Sequence, residues 1–338
     1  MHAAHRLFRA RPRVVALGML TPLLLAALAA CGTAGAKPAH HLTLGLTYIP
    51  NIQFAPFYVA DALGYYNDAG LNVTLRHHGF TESEFAAIAS GQENAIFAGG
   101  DEVMQARAQG QPLVYVAQVY TSYPVTLIVP ADSAIQSVAD LKGHSVGVPG
   151  KYGETYIGLL SLLHDAGLST SDVNIQNIGF TQAAALLGHK VDAVMGYVNN
   201  EPVQLKQAGF AYRTFPVTQP LISNGLAALQ SELDAHGDDI RALVSATLRG
   251  VQYAIAHPQD AVNIAKSKYV PTLNDPAQAA QALAVLQATL PLWQQPASGA
   301  GRIDAAHWQA MGTFLKSQGQ LAGDADVTKG FSNAYLPA

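Results

Sequence analysis

Residues 145–167 read SVGVPGKYGETYIGLLSLLHDAG. Ser145 to Val148 is a short valine-rich run, and Pro149-Gly150 stops it. Thr155 to Ala166 then carries apolar residues at helical spacing, and Gly167 ends that segment. The stretch predicts a strand, a glycine-bearing turn and a helix, the repeating unit of an α/β protein. The unit recurs on both sides. Upstream, strands are predicted at Leu42 to Thr47, Leu71 to Leu75, Ala95 to Ala98, Leu113 to Val119 and Val125 to Val129. Helices among them run from Phe54 to Leu63, from the capping-box stretch Thr81-Glu82-Ser83-Glu84 to Gly91, from Asp101 to about Gln109 and from Ser137 to Leu141. Downstream come a strand at Asn174 to Ile178, a helix at Thr181 to Leu187 and a strand at Ala193 to Met195. From about Leu233 the pattern is helical only, at 238–256, 259–267, 276–289 and 304–317.

Strand and helix alternating at spacings of roughly 10–15 residues predict mostly parallel sheets. Two segments of near-equal length, 42–122 and 125–215, fit two α/β lobes with a cleft between them, and the helical tail is expected to pack back onto the first lobe. Ligands of such sheets lie beyond the carboxyl ends of the strands, so the residues just after each strand are the ones to inspect.

Composition narrows the class. Of 338 residues, 49% are hydrophobic and 12% charged, which excludes intrinsic disorder. Arg6, Arg9, Arg11 and Arg13 precede an apolar run from Val14 to Ala30, the pattern of a secretory signal. The run ends in Leu28-Ala29-Ala30-Cys31, which resembles the bacterial lipobox, so Cys31 is the expected lipidation site. Residues 1–30 hold those four arginines and no acid, so the remainder sets 15 basic against 23 acidic residues, a net of −8. A body this acidic is a poor nucleic-acid binder. Attachment to a membrane is then expected through the lipid alone. Cys31 is the only cysteine, which excludes disulfides, thiolate metal sites and a cysteine nucleophile from the body.

Several pieces carry a family resemblance. Tyr48-Ile49-Pro50-Asn51-Ile52-Gln53-Phe54-Ala55-Pro56-Phe57-Tyr58-Val59-Ala60 follows the first strand, and Leu63-Gly64-Tyr65-Tyr66-Asn67-Asp68-Ala69-Gly70-Leu71 comes next. Gly99-Gly100-Asp101, Ala139-Asp140-Leu141-Lys142-Gly143 with Val146-Gly147-Val148, and Gly196-Tyr197-Val198-Asn199-Asn200-Glu201-Pro202 complete the set. Together these resemble substrate-binding proteins of the sulfonate/thiamine-pyrimidine-precursor group, including a riboflavin-binding branch, which serve ABC importers. The resemblance spans residues 42–230. It implies a type II periplasmic-binding-protein fold: α/β, two lobes, a ligand cleft and here a C-terminal helical tail. The expected division is a signal peptide at 1–30, a tether at 31–41, the first part of lobe 1 at 42–122, lobe 2 at 123–215, and the rest of lobe 1 with the tail at 216–338.

Each post-strand loop offers candidate ligand contacts, and each candidate has a purely structural reading beside it. Asn51 presents an amide suited to a heterocycle edge or caps the next helix, with Tyr48 beside it. Asp101 contacts ligand or caps a helix, while Tyr120 and Tyr123 stack on a flat ligand or pack a hinge. Gly150 and Gly153 let backbone approach a ligand, Tyr152 and Tyr156 are stacking candidates, and Thr155 is a ligand contact or an N-cap. The phosphate-loop pattern is absent there. Tyr197, Asn199, Asn200 and Glu201 supply a ring, two amides and an acid, Glu201 being alternatively a first-turn helix acid, and Asn224 adds an amide. His77 and His78, adjacent on a strand, point to opposite faces and do not share a metal.

The expectation is a substrate-binding lipoprotein of an ABC importer, without chemistry or cofactor of its own. It would be exported, anchored by lipid to the outer face of the cytoplasmic membrane, and would deliver its ligand to permease and ATPase subunits. The leading ligand is a flat heterocycle of the thiamine-pyrimidine-precursor (hydroxymethylpyrimidine) type, with riboflavin the alternative. A sulfonate or nitrate ligand is disfavoured because the loops offer only Lys151. A pyrimidine synthase is disfavoured because the fungal enzymes that resemble this fold use a cysteine-rich motif.

Overall fold

A computed structural model describes residues 40–79, 83–296, 299–322 and 324–337. The signal segment, Cys31, and Thr81 and Glu82 of the expected capping box lie outside the described residues. The strands are β1 (His40–Leu46), β2 (Leu71–His77), β3 (Ala95–Gly99), β4 (Leu113–Gln118), β5 (Val125–Pro130), β6 (Ser145–Val148), β7 (Asn174–Asn177), β8 (Ala193–Tyr197), β9 (Tyr212–Pro216) and β10 (Asn224–Leu229). Helices α1 (Ala55–Ala62), α2 (Tyr65–Asp68), α3 (Glu84–Ala89) and α4 (Gly100–Ala108) belong to the first half. The second half holds α5 (Gly153–Asp165), α6 (Gln182–Leu187) and α7 (Glu201–Gln207). The tail consists of α8 (Gln230–Ala256), α9 (Pro258–Ile264), α10 (Pro276–Thr289) and α11 (Ala305–Ser317).

Two five-stranded sheets result, in the orders β2-β1-β3-β10-β4 and β7-β6-β8-β5-β9. Their plans match. In each, three strands run parallel, and the fourth position is taken by an antiparallel strand that has just crossed from the other half: β10 in the first sheet, β5 in the second. The sheets are therefore mixed rather than mostly parallel. The cause is topological, since a strand entering directly from the other lobe arrives against the direction of the βαβ units. Both crossings, at 119–124 and 217–223, pass beside the same strand ends.

β3 and β4 are buried along their whole length, as strands covered on both faces must be. On one face α1 and α8 close over the first sheet around Phe57, Tyr58, Val244 and Val251. On the other, α4 and α11 pack around Met104, Trp308 and Met311. Most of the tail thus completes the first lobe. α8 lies so close to α1 that a Cβ on Gly250 would run into the Pro56 carbonyl oxygen.

Some local expectations change. α4 starts at Gly100, with Gly99 at the N-cap, so Asp101 sits inside the first turn and caps nothing. α5 starts at Gly153 with Tyr152 at the N-cap, which places Thr155 inside the helix and not at its cap. β1 begins at His40, within the stretch read as tether, where the His40 N–H donates to the Gly70 carbonyl (3.0 Å). β9 and β10 were not anticipated. β10 reads NGLAAL and is buried on both faces up to Ala228, so it has neither alternation nor β-branched residues to announce it.

Gly250→Ala is expected to destabilise the protein by about 1–3 kcal/mol. A fixed backbone oxygen opposes the new methyl, and this outweighs the gain in helix propensity of about 1 kcal/mol. A lowered urea midpoint at unchanged slope is the expected readout; an unchanged midpoint would show that α8 moves away at no cost.

Candidate ligand-binding site

Beyond the carboxyl ends of β1, β2, β6, β7 and β8 the two sheets face each other across a cavity of about 870 Å³. The first lobe contributes Thr47, Tyr48 and Asn51 after β1, His78 after β2, and the inner side of α4. From the second come Tyr152 to Thr155 after β6, Phe180 and Gln182 after β7, and Tyr197, Asn200 and Glu201 after β8. Asn224, at the start of β10, lies at the junction. No lysine or arginine is among the described residues that line the cavity.

Glu154 is the node between the lobes. Its Oε1 accepts from Ser223 Oγ (2.7 Å), and its Oε2 accepts from Asn224 Nδ2 (2.8 Å) and Tyr197 Oη (2.7 Å). Its own carbonyl accepts from Tyr123 Oη (2.8 Å). One buried carboxyl thereby ties β10 of the first sheet, β8 of the second and a crossover. Burial pushes its pKa up to about 7, against the lowering effect of the Ser223, Tyr197 and Asn224 bonds. Other acids crowd the same junction. Glu102 reaches back to the Gly99 N–H (3.0 Å), and burial raises its pKa. Glu84 is pushed up to about 8 by burial and then by the Glu102 charge. Asp101 is fully buried, and both its carboxyl oxygens lack a hydrogen-bond partner. Burial, then the charges of Glu102 and Glu154, hold its pKa well above the usual range.

Ten of the sequence-derived candidates line the cavity: Tyr48, Asn51, Tyr120, Tyr152, Gly153, Thr155, Tyr197, Asn200, Glu201 and Asn224. Asn51 also caps, since its side chain accepts from the Gln53 N–H (3.1 Å). Glu201 folds back onto its own loop, accepting from the Tyr197 N–H (2.7 Å) and from Asn200 Nδ2 (3.0 Å). Gly153 requires its glycine, with φ +66° where the chain turns into α5. Tyr152 is 57% exposed at the rim.

The other candidates stand behind the wall. Asp101 is sealed under α4 as described. Tyr123 gives its hydroxyl to the Glu154 carbonyl. Gly150 lies under the Tyr152 ring, which a Cβ there would strike. Tyr156 is buried in the apolar cluster with Ile157 and Leu160, one helix face away from the cavity. Asn199 donates through Nδ2 to Thr289 Oγ1 (2.7 Å), pinning the β8–α7 loop to α10.

Glu84, Glu102, Glu154 and Phe180 line the cavity and were not singled out in the sequence. Glu154 stood inside the loop Gly150 to Tyr156, and a first-turn acid directly after a glycine was the available signal. Phe180 meets Tyr48 edge-on across the cleft, centroids 4.7 Å apart at 73°. Its signal was its place two residues beyond a strand.

His77 and His78 do diverge. His77 has a lowered pKa through burial, so it is neutral, donates from Nδ1 to the Tyr48 carbonyl (2.8 Å) and accepts at Nε2 from Tyr58 Oη (2.9 Å). His78 Nε2 meets Glu93 Oε1 at 2.6 Å, and Arg76 bonds the same oxygen (2.9 Å). Among the described residues no group of three or more His, Cys, Asp or Glu is placed to hold a metal ion.

A carboxyl whose folded pKa exceeds its unfolded value near 4.5 takes up a proton on folding. The stability Glu154 contributes as a neutral acid is whole below pH 4.5 and is lost as pH rises through about 7. Relative to wild type, Glu154→Gln should gain at least about 2 °C in Tm between pH 5 and pH 8. Glu154→Ala should lose about 2–4 kcal/mol at both pH values, because three buried donors lose their acceptor. Parallel Tm curves for wild type and Glu154→Gln would show that Glu154 does not titrate in this range.

Comparison with known proteins places this architecture. The riboflavin-binding protein RibY of Chloroflexus aurantiacus is 34% identical over 96% of this chain and 98% of its own. A formylaminopyrimidine-binding protein of Halalkalibacterium halodurans is 29% identical over 65% of this chain and 68% of its own. More distant relatives, at 22% identity, include a 4-amino-5-hydroxymethyl-2-methylpyrimidine phosphate synthase of Legionella pneumophila. Among solved structures, the alkanesulfonate-binding protein SsuA of Xanthomonas axonopodis pv. citri superposes with a TM-score of 0.68 at 19% identity, over 87% of this chain and 98% of that one, and so shares the fold. The family model described as "NMT1/THI5 like" matches residues 51–261, and the chain belongs to the NMT1/THI5-like family, folded as a two-lobed periplasmic-type binding protein.

Proposed function

We propose that this protein is the substrate-binding component of an ABC importer and captures a flat, uncharged aromatic heterocycle between its lobes, with riboflavin the favoured ligand. The observation that carries the reading is the cavity: about 870 Å³, with Tyr48, Tyr152, Phe180 and Tyr197 among its lining. That volume lies in the upper part of the range for drug-sized ligands, about 300–1,000 Å³. A single substituted pyrimidine ring leaves most of it empty, whereas three fused rings with a polyol chain use it. The riboflavin-binding relative, matched over nearly the full length of both chains, supports the same ligand. Amides of Asn51, Asn200 and Asn224 suit the carbonyl and N–H edge of such a ring system.

A second reading, the thiamine-pyrimidine precursor, draws support from the formylaminopyrimidine-binding relative and from Asn200 with Glu201, which match an aminopyrimidine edge. A binding role without chemistry is supported by the cysteine count, since Cys31 is the only cysteine in the sequence and a cysteine-rich motif is missing. On this reading 42–122 and 216–338 act as one lobe against 123–215. Cys31 carries the lipid that anchors the protein outside the cytoplasmic membrane, and permease and ATPase subunits receive the ligand. No helix among the described residues is long and apolar enough to cross a membrane.

Riboflavin titrated into the protein should lose fluorescence as its ring meets tyrosines, and at 100 times its Kd it should stabilise by about 2.7 kcal/mol. Tyr152→Ala and Tyr48→Ala should each weaken binding by about tenfold through lost ring contact. Stabilisation by an aminopyrimidine and not by riboflavin would shift the function to the second reading. No response to either would overturn the heterocycle proposal.

A further inference from the structure

Helix N-termini aimed at a cavity are ready-made sites for phosphate or sulfonate, because their first N–H groups are free and the dipole is positive there. Besides the helical turn Ile52–Phe54, which has no acid in its first turn, five helices open onto the cavity, and four of them carry near their start an acid that lines it: Glu84 on α3, Glu102 on α4, Glu154 on α5 and Glu201 on α7. Two of these carboxyls already take N–H groups at the turn into their helices. Glu102 accepts from Gly99 N and Glu201 from Tyr197 N. The exception, α6, is six residues long and starts with Gln182. Behind the wall, Arg76 is engaged by buried Glu93.

We propose that Glu84, Glu102, Glu154 and Glu201 form an anion filter, so that the cavity takes the uncharged, hydroxyl-bearing form of its heterocycle and rejects the phosphomonoester of the same compound. The inference rests on the heterocycle-binding reading of the cavity. A ligand hydroxyl or ring N–H donates to these carboxyls, whereas a phosphate dianion has no proton to give and brings close to two negative charges. It would enter a site with no lysine or arginine among the described lining residues, where Glu102 already takes the N–H of Gly99 at the N-cap of α4.

The test compares riboflavin with flavin mononucleotide by fluorescence titration near pH 8.5, above the pKa values of about 7 for Glu154 and about 8 for Glu84. The expected result is binding of riboflavin, with flavin mononucleotide weaker by about 100-fold or more, as like charges brought together cost several kcal/mol. Glu84→Gln, and separately Glu84→Gln with Glu102→Gln, should narrow the ratio stepwise, by about tenfold or more for the pair. Near-isosteric amides keep the fold, and far-ultraviolet circular dichroism with the urea midpoint checks this. Equal affinity for the two flavins, or a ratio unmoved in folded variants, would overturn the filter while leaving riboflavin binding intact. Failure of riboflavin itself to bind would overturn the ligand assignment instead. The filter is then judged on 4-amino-5-hydroxymethyl-2-methylpyrimidine against its phosphate, with the same ratio expected and the same equality contradicting it.

Discussion

The arrangement depends on a carboxyl placed where the chain changes sheets. Glu154, almost wholly buried, accepts from Ser223 and Asn224 at the start of β10 and from Tyr197 at the end of β8. Burying a carboxyl is expensive unless donors meet it, and here three do, drawn from both sheets. The topology makes this possible. Because β5 and β10 each cross over to fill the antiparallel slot of the opposite sheet, both crossings run past the same strand ends. The start of α5 sits between them, so the residue that orients the lobes also forms part of the cavity wall. Binding and lobe geometry share one group, which gives a ligand a direct way to bias closure.

The cavity combines two kinds of surface. Rings stand where the strand ends meet, with Tyr48 and Phe180 in contact from opposite lobes and Tyr152 exposed at the rim. Carboxyls stand where α3, α4 and α5 begin. Flat π-surface with hydrogen-bond acceptors, and no lysine or arginine among the described lining residues, suits the neutral, donor-rich aromatic ligand proposed above. The fold itself is shared with the alkanesulfonate-binding protein SsuA, so under the proposed function the difference in ligand class lies in these side chains rather than in the architecture.

Much of this was legible in the sequence, for identifiable reasons. Strands bounded by proline or glycine, as at Val148-Pro149-Gly150, were placed to within a residue or two. The tail helix α10 matches the expected 276–289 at both ends, and its start is marked by the Asp275 cap and the N1 proline Pro276. The rule that ligands sit beyond strand ends brought ten candidates to the cavity wall. β10 was not legible, because glycine and alanine buried on both faces leave no period to read. The acid cluster was missed for a different reason: Glu84, Glu102 and Glu154 each look like an ordinary first-turn helix acid, and only the sheet topology brings them together. Asp101 shows the converse, since its position favoured a cap and its side chain turned inward.

Under the proposed function one ligand is held simultaneously by the loops of both sheets at the Glu154 junction. Amide hydrogen exchange of the protein with and without saturating riboflavin tests it most directly. The account predicts slowed exchange together in 48–54, 150–156 and 197–204, with the outer surfaces of α9 and α11 unchanged. Protection confined to the loops of a single sheet, or found away from the cavity around 322–327, would contradict it.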